Sequence, residues 1–246
     1  MKNTPLFDSV AEFYDYSMRN NCDYEGWAQY VVNKIKTLSP NAKQGIDMAC
    51  GSGYFTRAFK KAGFTVTGMD ISAEMLTSAQ NITAKEKAFI PYILGDMTSF
   101  KVMQKVDFIT AINDAVNCLP PQNLQKAFKC MANALKKGGI LHFDVSSEYK
   151  LKQVISNNTF CEDDDDYSYI WFNTPYDDKV VMEMSIFLKR GENYIKRESS
   201  LTEYIHTKEN LILALESSGF TVLDIDGDMG ELTENSQRLN ITAKRN

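Results

Sequence analysis

The sequence is poor in the residues that build metal sites and disulfide frameworks. Only two of its 246 residues are histidine and five are cysteine. The cysteines are scattered, without a Cys-x-x-Cys pair, at Cys22, Cys50, Cys118, Cys130 and Cys161. Isolated thiols with so few histidines form neither a zinc-binding pattern nor a set of bridges. We therefore expect reduced thiols and no metal.

Long apolar runs are also missing. The sequence has no apolar run of about 18 residues, the length at which a membrane-spanning helix becomes a candidate. Its polar start, Met1 to Pro5, does not have the basic and then apolar pattern of a signal peptide. These features predict a soluble, cytoplasmic protein without a membrane partner.

An excess of positive charge is absent as well. The net charge of −5 makes a nucleic-acid partner unexpected, because affinity for phosphate backbones depends largely on Lys and Arg. A local basic groove is compatible with this charge. The length of 246 residues and the 43% apolar fraction suit one large α/β domain with an insertion.

One stretch, residues 45 to 70, carries the strongest pattern. It consists of a strand, a glycine loop, a helix, a second strand and a terminal acid. Gly51 and Gly53 flank Ser52, so the backbone can turn sharply and a ligand can approach the start of the helix. Asp70 ends the second strand, where a carboxylate can accept hydrogen bonds from a ribose diol. The stretch therefore predicts an adenosine-containing ligand.

The identity of that ligand depends on two further residues. A dinucleotide-binding loop needs a third glycine, and this sequence has Thr56 instead. Asp47, just before the loop, would oppose a pyrophosphate but suits a ligand with an ammonium group. At these residues the sequence resembles the class I S-adenosylmethionine-dependent methyltransferases. Their first motif is an acid followed by a Gly-x-Gly loop, and their second is the acid at the strand end.

The resemblance implies S-adenosylmethionine (SAM) as cofactor. Gly95-Asp96-Met97 matches the third motif, in which the acid binds the adenine amino group. The alternatives are an ordinary strand-to-helix turn at the glycine loop and a plain polar turn at Asp96. The candidate cofactor-binding residues are Asp47, Cys50, Gly51, Gly53, Asp70, Ile71, Met75, Asp96, Met97 and Asn113.

Alternating strands and helices predict a doubly wound α/β sheet. The expected helices are 6–20, 24–38, 54–62, 72–80, 121–136, 147–156 and 207–218, and the expected strands are 45–49, 64–70, 89–94, 106–112, 139–145, 220–226 and 237–243. The resemblance implies a Rossmann-like seven-stranded sheet with its last strand antiparallel.

The alternation breaks at residues 159–205, where side chains alternate with a period of two. We expect a small antiparallel β insertion of three strands there, preceded by a solvated acidic loop at 162–166. Residues 1–158 and 206–246 would form the SAM-binding domain. The aromatic face formed by Tyr167, Tyr169 and Trp171 would cover the acceptor pocket, and a homodimer interface is the alternative.

Catalytic candidates are less well defined. The resemblance implies that an N-terminal Tyr-Asp pair, here Tyr14-Asp15, folds over the methionine end of the cofactor, and core packing by Tyr14 is the alternative. The loop after the fourth strand supplies Asn113, Asp114 and Asn117, which should line the space between the cofactor methyl and its acceptor. The catalytic candidates are Tyr14, Asp114 and His142, and core packing is the alternative for His142. Asp144, Tyr169 and His206 complete the set of bases compatible with the pattern.

The predicted reaction is methyl transfer to a nitrogen or oxygen of a small molecule. The chain resembles bacterial members of the family that have a β-rich insertion, including relatives of amino-sugar and glycine N-methyltransferases. The Asn/Asp-Pro-Pro-aromatic motif of amino-directed DNA enzymes is absent, since Asn113-Asp114-Ala115-Val116 occupies its place. Three alternatives stay open: an RNA or tRNA base methyltransferase, a non-catalytic SAM-binding module and a nicotinamide oxidoreductase.

Overall fold

A central mixed sheet organises the part of the chain that the structure describes. The structure is a computed structural model that describes residues 23–246. The predicted helix 6–20, with Tyr14, and Cys22 lie outside the described residues. None of the helices within 23–246 is long and apolar enough to cross a membrane.

Helices and strands alternate through the first half of the described chain. The helices are α1 (Tyr24–Leu38), α2 (Tyr54–Lys61), α3 (Ala73–Lys85), α4 (Pro121–Ala134) and α5 (Lys208–Glu216). The strands of the central sheet are β1 (Gln44–Met48), β2 (Thr65–Asp70), β3 (Tyr92–Leu94), β4 (Val106–Ala111), β5 (Leu135–Ser146), β10 (Phe220–Gly227) and β11 (Arg238–Arg245).

The sheet has seven strands in the order β10-β11-β5-β4-β1-β2-β3. Strand β11 runs antiparallel to β5 and β10, and the remaining neighbours pair in parallel. The predicted Rossmann-like sheet with an antiparallel last strand is therefore confirmed. Phe108, Ile109 and Ala111 of β4 are fully buried, as expected for a strand covered on both faces.

Apolar side chains on both faces of the sheet hold the helices in place. Helix α1 begins after Asp23, whose side chain accepts a 2.9 Å hydrogen bond from the Gly26 amide, and it buries Trp27 and Val31. Together with α2 it covers one face at Phe108. Helices α4 and α5 cover the opposite face through Phe128 and Leu211, among others.

The insertion is a second antiparallel sheet of four strands, so the expectation of three was one too few. It consists of β6 (Thr159–Asp163), β7 (Tyr167–Pro175), β8 (Lys179–Arg190) and β9 (Asn193–Tyr204). The additional strand β6 contains the start of the acidic run, which the sequence analysis assigned to a loop. Pairing with β7 satisfies its backbone, and Glu162 accepts a 2.8 Å hydrogen bond from the Tyr167 hydroxyl.

Several other boundaries differ from the expectation. Helix α3 continues to Lys85 instead of ending at residue 80, and β3 begins at Tyr92 instead of residue 89. Helix α4 ends at Ala134 and β5 begins at the next residue, so Lys136 to Gly139 belong to the strand instead of closing the helix. The helix expected at 147–156 is a six-residue π-helical turn, Lys150–Ile155. A 3-10 turn, Ala115–Cys118, follows β4.

Candidate functional site

The predicted site residues follow strands whose carboxyl ends meet at one edge of the central sheet. Parallel pairing places the ends of β1, β2, β4 and β5 side by side. Open α/β sheets bind ligands at this edge. The geometry at each strand end therefore decides what the edge can hold.

The glycine loop after β1 has the conformation that its glycines allow. Gly51 and Gly53 have φ of 53° and 80°, in the left-handed region. A Cβ at Gly53 would lie 2.5 Å from the Tyr92 hydroxyl, whereas a Cβ at Gly51 would meet nothing within 4 Å. The loop thus packs tightly on the protein side at Gly53 and borders open space at Gly51.

Two carboxylates hold this loop. Asp47 is 2% exposed, and its oxygens accept hydrogen bonds from the hydroxyls of Thr56 at 2.5 Å and Thr110 at 2.9 Å. Asp70 accepts from the amides of Gly51 at 2.7 Å and Ser72 at 2.9 Å. Burial raises the pKa of Asp47 to about 6, although the Thr56 and Thr110 hydroxyls lower it. Asp47 therefore organises the loop from inside, while Asp70 connects the two motifs directly.

The other cofactor candidates differ in exposure. Asp96 accepts from the amide and the hydroxyl of Thr98, at 2.7 and 2.9 Å, so part of its carboxylate holds its own turn. Ile71 is 69% exposed, which leaves an apolar side chain beside Asp70. Met75 is fully buried in α3, whereas Cys50 and Met97 are half-buried.

A buried charge network lies after β4. Asn113 and Asp114 have φ of 69° and 61°, which is strained for residues other than glycine. Both amides donate to the Asp144 carboxylate, at 2.6 and 3.0 Å. Arg238 donates to Asp114 at 2.6 and 3.1 Å and also contacts Asp144. The network holds the strained loop in place.

The same network sets the charge of its members. Burial alone would raise the pKa of Asp114, but Arg238 and Lys150 outweigh it and hold that pKa at about 2. Burial raises the pKa of Asp144 to about 6 against the opposing Arg238. The Lys150 ammonium lies 3.5 Å from Asp114. Asp114 is therefore an ion-paired carboxylate and a weak base at neutral pH.

Asn117 connects this loop to the insertion. Its amide donates to the carbonyls of Ser146 at 3.2 Å and Tyr204 at 3.0 Å, and it accepts from the Ser146 amide at 2.9 Å. The end of β9 is thereby fixed beside the carboxyl ends of β4 and β5. This contact brings the neighbouring Glu203 into the network, and burial raises the pKa of Glu203 to about 8.

Glu203 and Arg238 were not among the predicted site residues. In β9 the alternation of Ser199, Leu201 and Glu203 places a carboxyl on an otherwise buried face, and this signal could have identified it. No comparable signal in the sequence indicates Arg238, which begins β11 far along the chain.

The remaining catalytic candidates lie apart from the loop at 113–117 or support it. His142 is fully buried on the α1 side of the sheet, with its Nδ1 2.9 Å from the Thr242 hydroxyl, and burial lowers its pKa to about 4. This position favours the packing alternative. His206 contacts the Leu119 carbonyl through Nε2 at 3.1 Å, and Tyr169 stacks on Tyr167 in the insertion.

Comparison with known proteins identifies related sequences over nearly the whole chain. Residues 46–139 match the family model described as a methyltransferase domain. A protein of Geobacillus sp. (strain WCH70), named as a methyltransferase, is 30% identical over 97% of this chain and 99% of its own.

Shorter matches, over about half of this chain, involve enzymes named for different acceptors. A dTDP-3-amino-3,4,6-trideoxy-alpha-D-glucopyranose N,N-dimethyltransferase of Streptomyces venezuelae is 26% identical over 53% of this chain and 54% of its own. A ubiquinone biosynthesis O-methyltransferase of Coxiella burnetii (strain Dugway 5J108-111) is 32% identical over 47% of each chain.

Solved structures share the architecture. The crystal structure of an S-adenosylmethionine-dependent methyltransferase from Clostridium acetobutylicum ATCC 824 superposes with a TM-score of 0.89 at 29% identity, covering 97% of this chain and 98% of that one. The SAM-bound amino pentose methyltransferase CalS10 from Micromonospora echinaspora has a TM-score of 0.77 at 19% identity, covering 95% and 96%. The latter likeness concerns the fold alone.

Proposed function

The chain belongs to the class I SAM-dependent methyltransferases, and on this basis we propose that it methylates a nitrogen or oxygen of a small molecule. The observation that carries the proposal is the arrangement of the sheet edge, where the glycine loop and Asp70 lie beside a loop of fixed polar groups at 113–117. The acidic net charge of −5 supports a small acceptor over a nucleic acid.

We assign the cofactor to the loops after β1, β2 and β3. The open space at Gly51 would let an adenosine approach the backbone, and Asp70 would bind the ribose diol. The two oxygens of Asp70 accept hydrogen bonds from the Gly51 and Ser72 amides, and a carboxylate offers about four acceptor positions in all. Asp96 and Met97 would bind the adenine. The bound cofactor supplies an electrophilic methyl group.

The protein's own contribution would be orientation and exclusion of water. Asn113 and Asp114 are held by Asp144 and Arg238, so the loop at 113–117 offers a fixed wall to an acceptor. A fixed wall lowers the entropy cost of aligning the acceptor's lone pair with the methyl group. The insertion, residues 159–205, would cover this space as a separate unit, with Tyr169 and Trp171 on its inner face.

A ligand screen followed by a turnover assay tests the proposal. SAM and S-adenosylhomocysteine should raise the melting temperature, because ligands that bind only the native state stabilise it, whereas NAD should leave it unchanged. S-adenosylhomocysteine formation is then measured with small amines, small alcohols and bulk RNA as acceptors. Turnover with RNA alone would refute the small-molecule acceptor, and stabilisation by NAD alone would refute the cofactor assignment.

A further inference from the structure

Glu203 is a buried carboxyl that the fold leaves incompletely satisfied. It lies near the end of β9, opposite Val180 of β8, on the same sheet face as Leu201 and Met182. Glu203 is 7% exposed, and its Oε2 has no hydrogen-bond partner within residues 23–246. A buried polar atom without a partner is costly, so a bound group that supplied the missing hydrogen bond would be stabilised there.

The charges around Glu203 indicate the sign of that group. The charged groups that act on it electrostatically are Asp114, Asp144, Lys150 and Arg238, and the Cys118 thiol of the 3-10 turn also interacts with it. Arg238 is engaged by Asp114 and Asp144, and Lys150 lies beside Asp114 and donates to the Ser146 hydroxyl at 2.9 Å. Three carboxyls thus face two cations, so an ionised Glu203 carboxylate would lack a cationic partner of its own. A further positive charge would supply that partner.

An organic cation fits this place better than a metal. Within the described residues no group of three or more His, Cys, Asp or Glu side chains is arranged to hold a metal ion. The place is also on the acceptor side of the site, because Asn117 binds the carbonyl of Tyr204, the residue after Glu203. Asn117 belongs to the loop to which we assign the acceptor.

We propose that Glu203 binds the ammonium group of an amine acceptor and removes its proton before methyl transfer. This inference rests on the proposed function and narrows it to nitrogen. The Glu203 carboxylate takes one proton from R–NH3+, which frees the nitrogen lone pair. The lone pair then forms the N–CH3 bond as the C–S bond of the sulfonium breaks, giving neutral S-adenosylhomocysteine and a methylated ammonium, and Glu203 returns its proton to water.

The environment of Glu203 suits this step. Burial, with Asp114 and Asp144 nearby, raises its pKa to about 8, while Lys150 and Arg238 act in the opposite direction. An aliphatic ammonium such as that of lysine has a pKa of about 10.4, whereas an ordinary Glu carboxyl has about 4.3. The raised value therefore reduces the mismatch for proton transfer from roughly six pKa units to about two.

Paired acceptors and matched variants test the proposal. Amines are compared with alcohols of the same skeleton, such as glucosamine with glucose and cyclohexylamine with cyclohexanol. Binding to the protein loaded with S-adenosylhomocysteine is measured by calorimetry, and turnover is measured as a function of pH. The variants are Glu203→Gln, Glu203→Asp and, as control on the same strand, Glu198→Gln, whose side chain is 59% exposed.

We expect amines, and not their alcohol partners, to bind and react. Glu203→Gln should lower kcat/KM for the amine by about 100-fold or more, the scale of general-base catalysis, and should remove an inflection near pH 8. The affinity of Glu203→Gln for S-adenosylhomocysteine should be unchanged, which would show that this variant is folded. Glu203→Asp should retain part of the activity. Glu198→Gln should behave as the wild type.

Two results would overturn the inference while leaving the proposed function intact: methylation of the alcohols without the amines, or amine turnover retained by Glu203→Gln. A different result separates the failure of the proposed function. If S-adenosylhomocysteine binds but neither acceptor class binds or reacts, the small-molecule assignment fails and the role of Glu203 fails with it.

Discussion

Replacing Asp70 with alanine tests how the glycine loop and the second strand act together. The Asp70 residue is 7% exposed and accepts hydrogen bonds from the Gly51 amide at 2.7 Å and the Ser72 amide at 2.9 Å. Asp70→Ala removes both acceptors. It also removes the charge to which we assign the ribose diol.

The expected loss can be estimated from these contacts. A hydrogen bond to a charged group contributes about 1.5 to 3 kcal/mol. If the diol bonds to Asp70 contribute a total on that scale, the affinity for S-adenosylhomocysteine should fall by about 10- to 150-fold. Each of the two amides that loses its acceptor also costs roughly 1 to 3 kcal/mol where it stays buried. The variant should therefore be less stable as well.

Calorimetry with S-adenosylhomocysteine measures the affinity, and urea unfolding with near-UV circular dichroism establishes that the variant is folded. Asp70→Asn, which keeps one acceptor oxygen without the charge, should lose less affinity. Asp177→Ala, in the exposed turn between β7 and β8, is the surface control and should bind as the wild type. A folded Asp70→Ala protein with unaltered affinity would refute the assignment of the cofactor to this edge.

Three other changes have defined outcomes. Trp171→Ala, on the inner face of the insertion, should abolish turnover without changing the affinity for S-adenosylhomocysteine or the molecular mass. Phe172→Ala, at a residue 50% exposed on the opposite face, should retain turnover. If Trp171→Ala instead dissociates an oligomer and retains turnover, the aromatic face is an interface. Gly53→Ala should weaken S-adenosylhomocysteine binding in calorimetry, because a Cβ would lie 2.5 Å from the Tyr92 hydroxyl; Gly63→Ala also has a positive φ but meets open space, so it should cost only stability. The raised pKa of Glu203 means that the unfolded state loses this proton first, so its contribution to stability falls as pH rises from 4.5 to about 8. In urea titrations, the free energy of unfolding of Glu203→Gln should increase relative to that of the wild type as the pH rises across that range. A difference that does not change with pH would contradict the raised pKa of Glu203.

The sequence was most informative where the determinants of structure are local. Gly51 and Asp70 are 19 positions apart, and a strand, a loop and a helix of ordinary length bring them into contact. The glycines and the alternation of strands and helices therefore sufficed to predict the loop and a doubly wound sheet, because each depends on a pattern within a short window. The number of seven strands and the antiparallel last strand were implied by the family resemblance instead.

The residues of the charge network are too far apart in the sequence for such a local pattern to connect them. Arg238 is 124 positions from Asp114 and 94 from Asp144, and its role follows from the antiparallel register that places it opposite Ser146. No periodicity or motif encodes that meeting. The strand β6 was missed for a related reason, because its acidic side chains resemble a loop and only pairing with β7 makes them part of a sheet.

The central sheet and the insertion contribute different groups to the proposed enzyme. The strained backbone at Asn113 and Asp114 is held by Asp144 and Arg238, which both belong to the central sheet, whereas Asn117 of the same loop binds the Tyr204 carbonyl of the insertion. Glu203 comes from the insertion and adds a third carboxyl beside this network, with its Oε2 left without a hydrogen-bond partner within residues 23–246. Removing Arg238 would strand two buried carboxylates, which is far more costly than exchanging a residue of the insertion. We therefore expect acceptor choice to depend on β7, β8 and β9, and cofactor binding to depend on the loops after β1, β2 and β3.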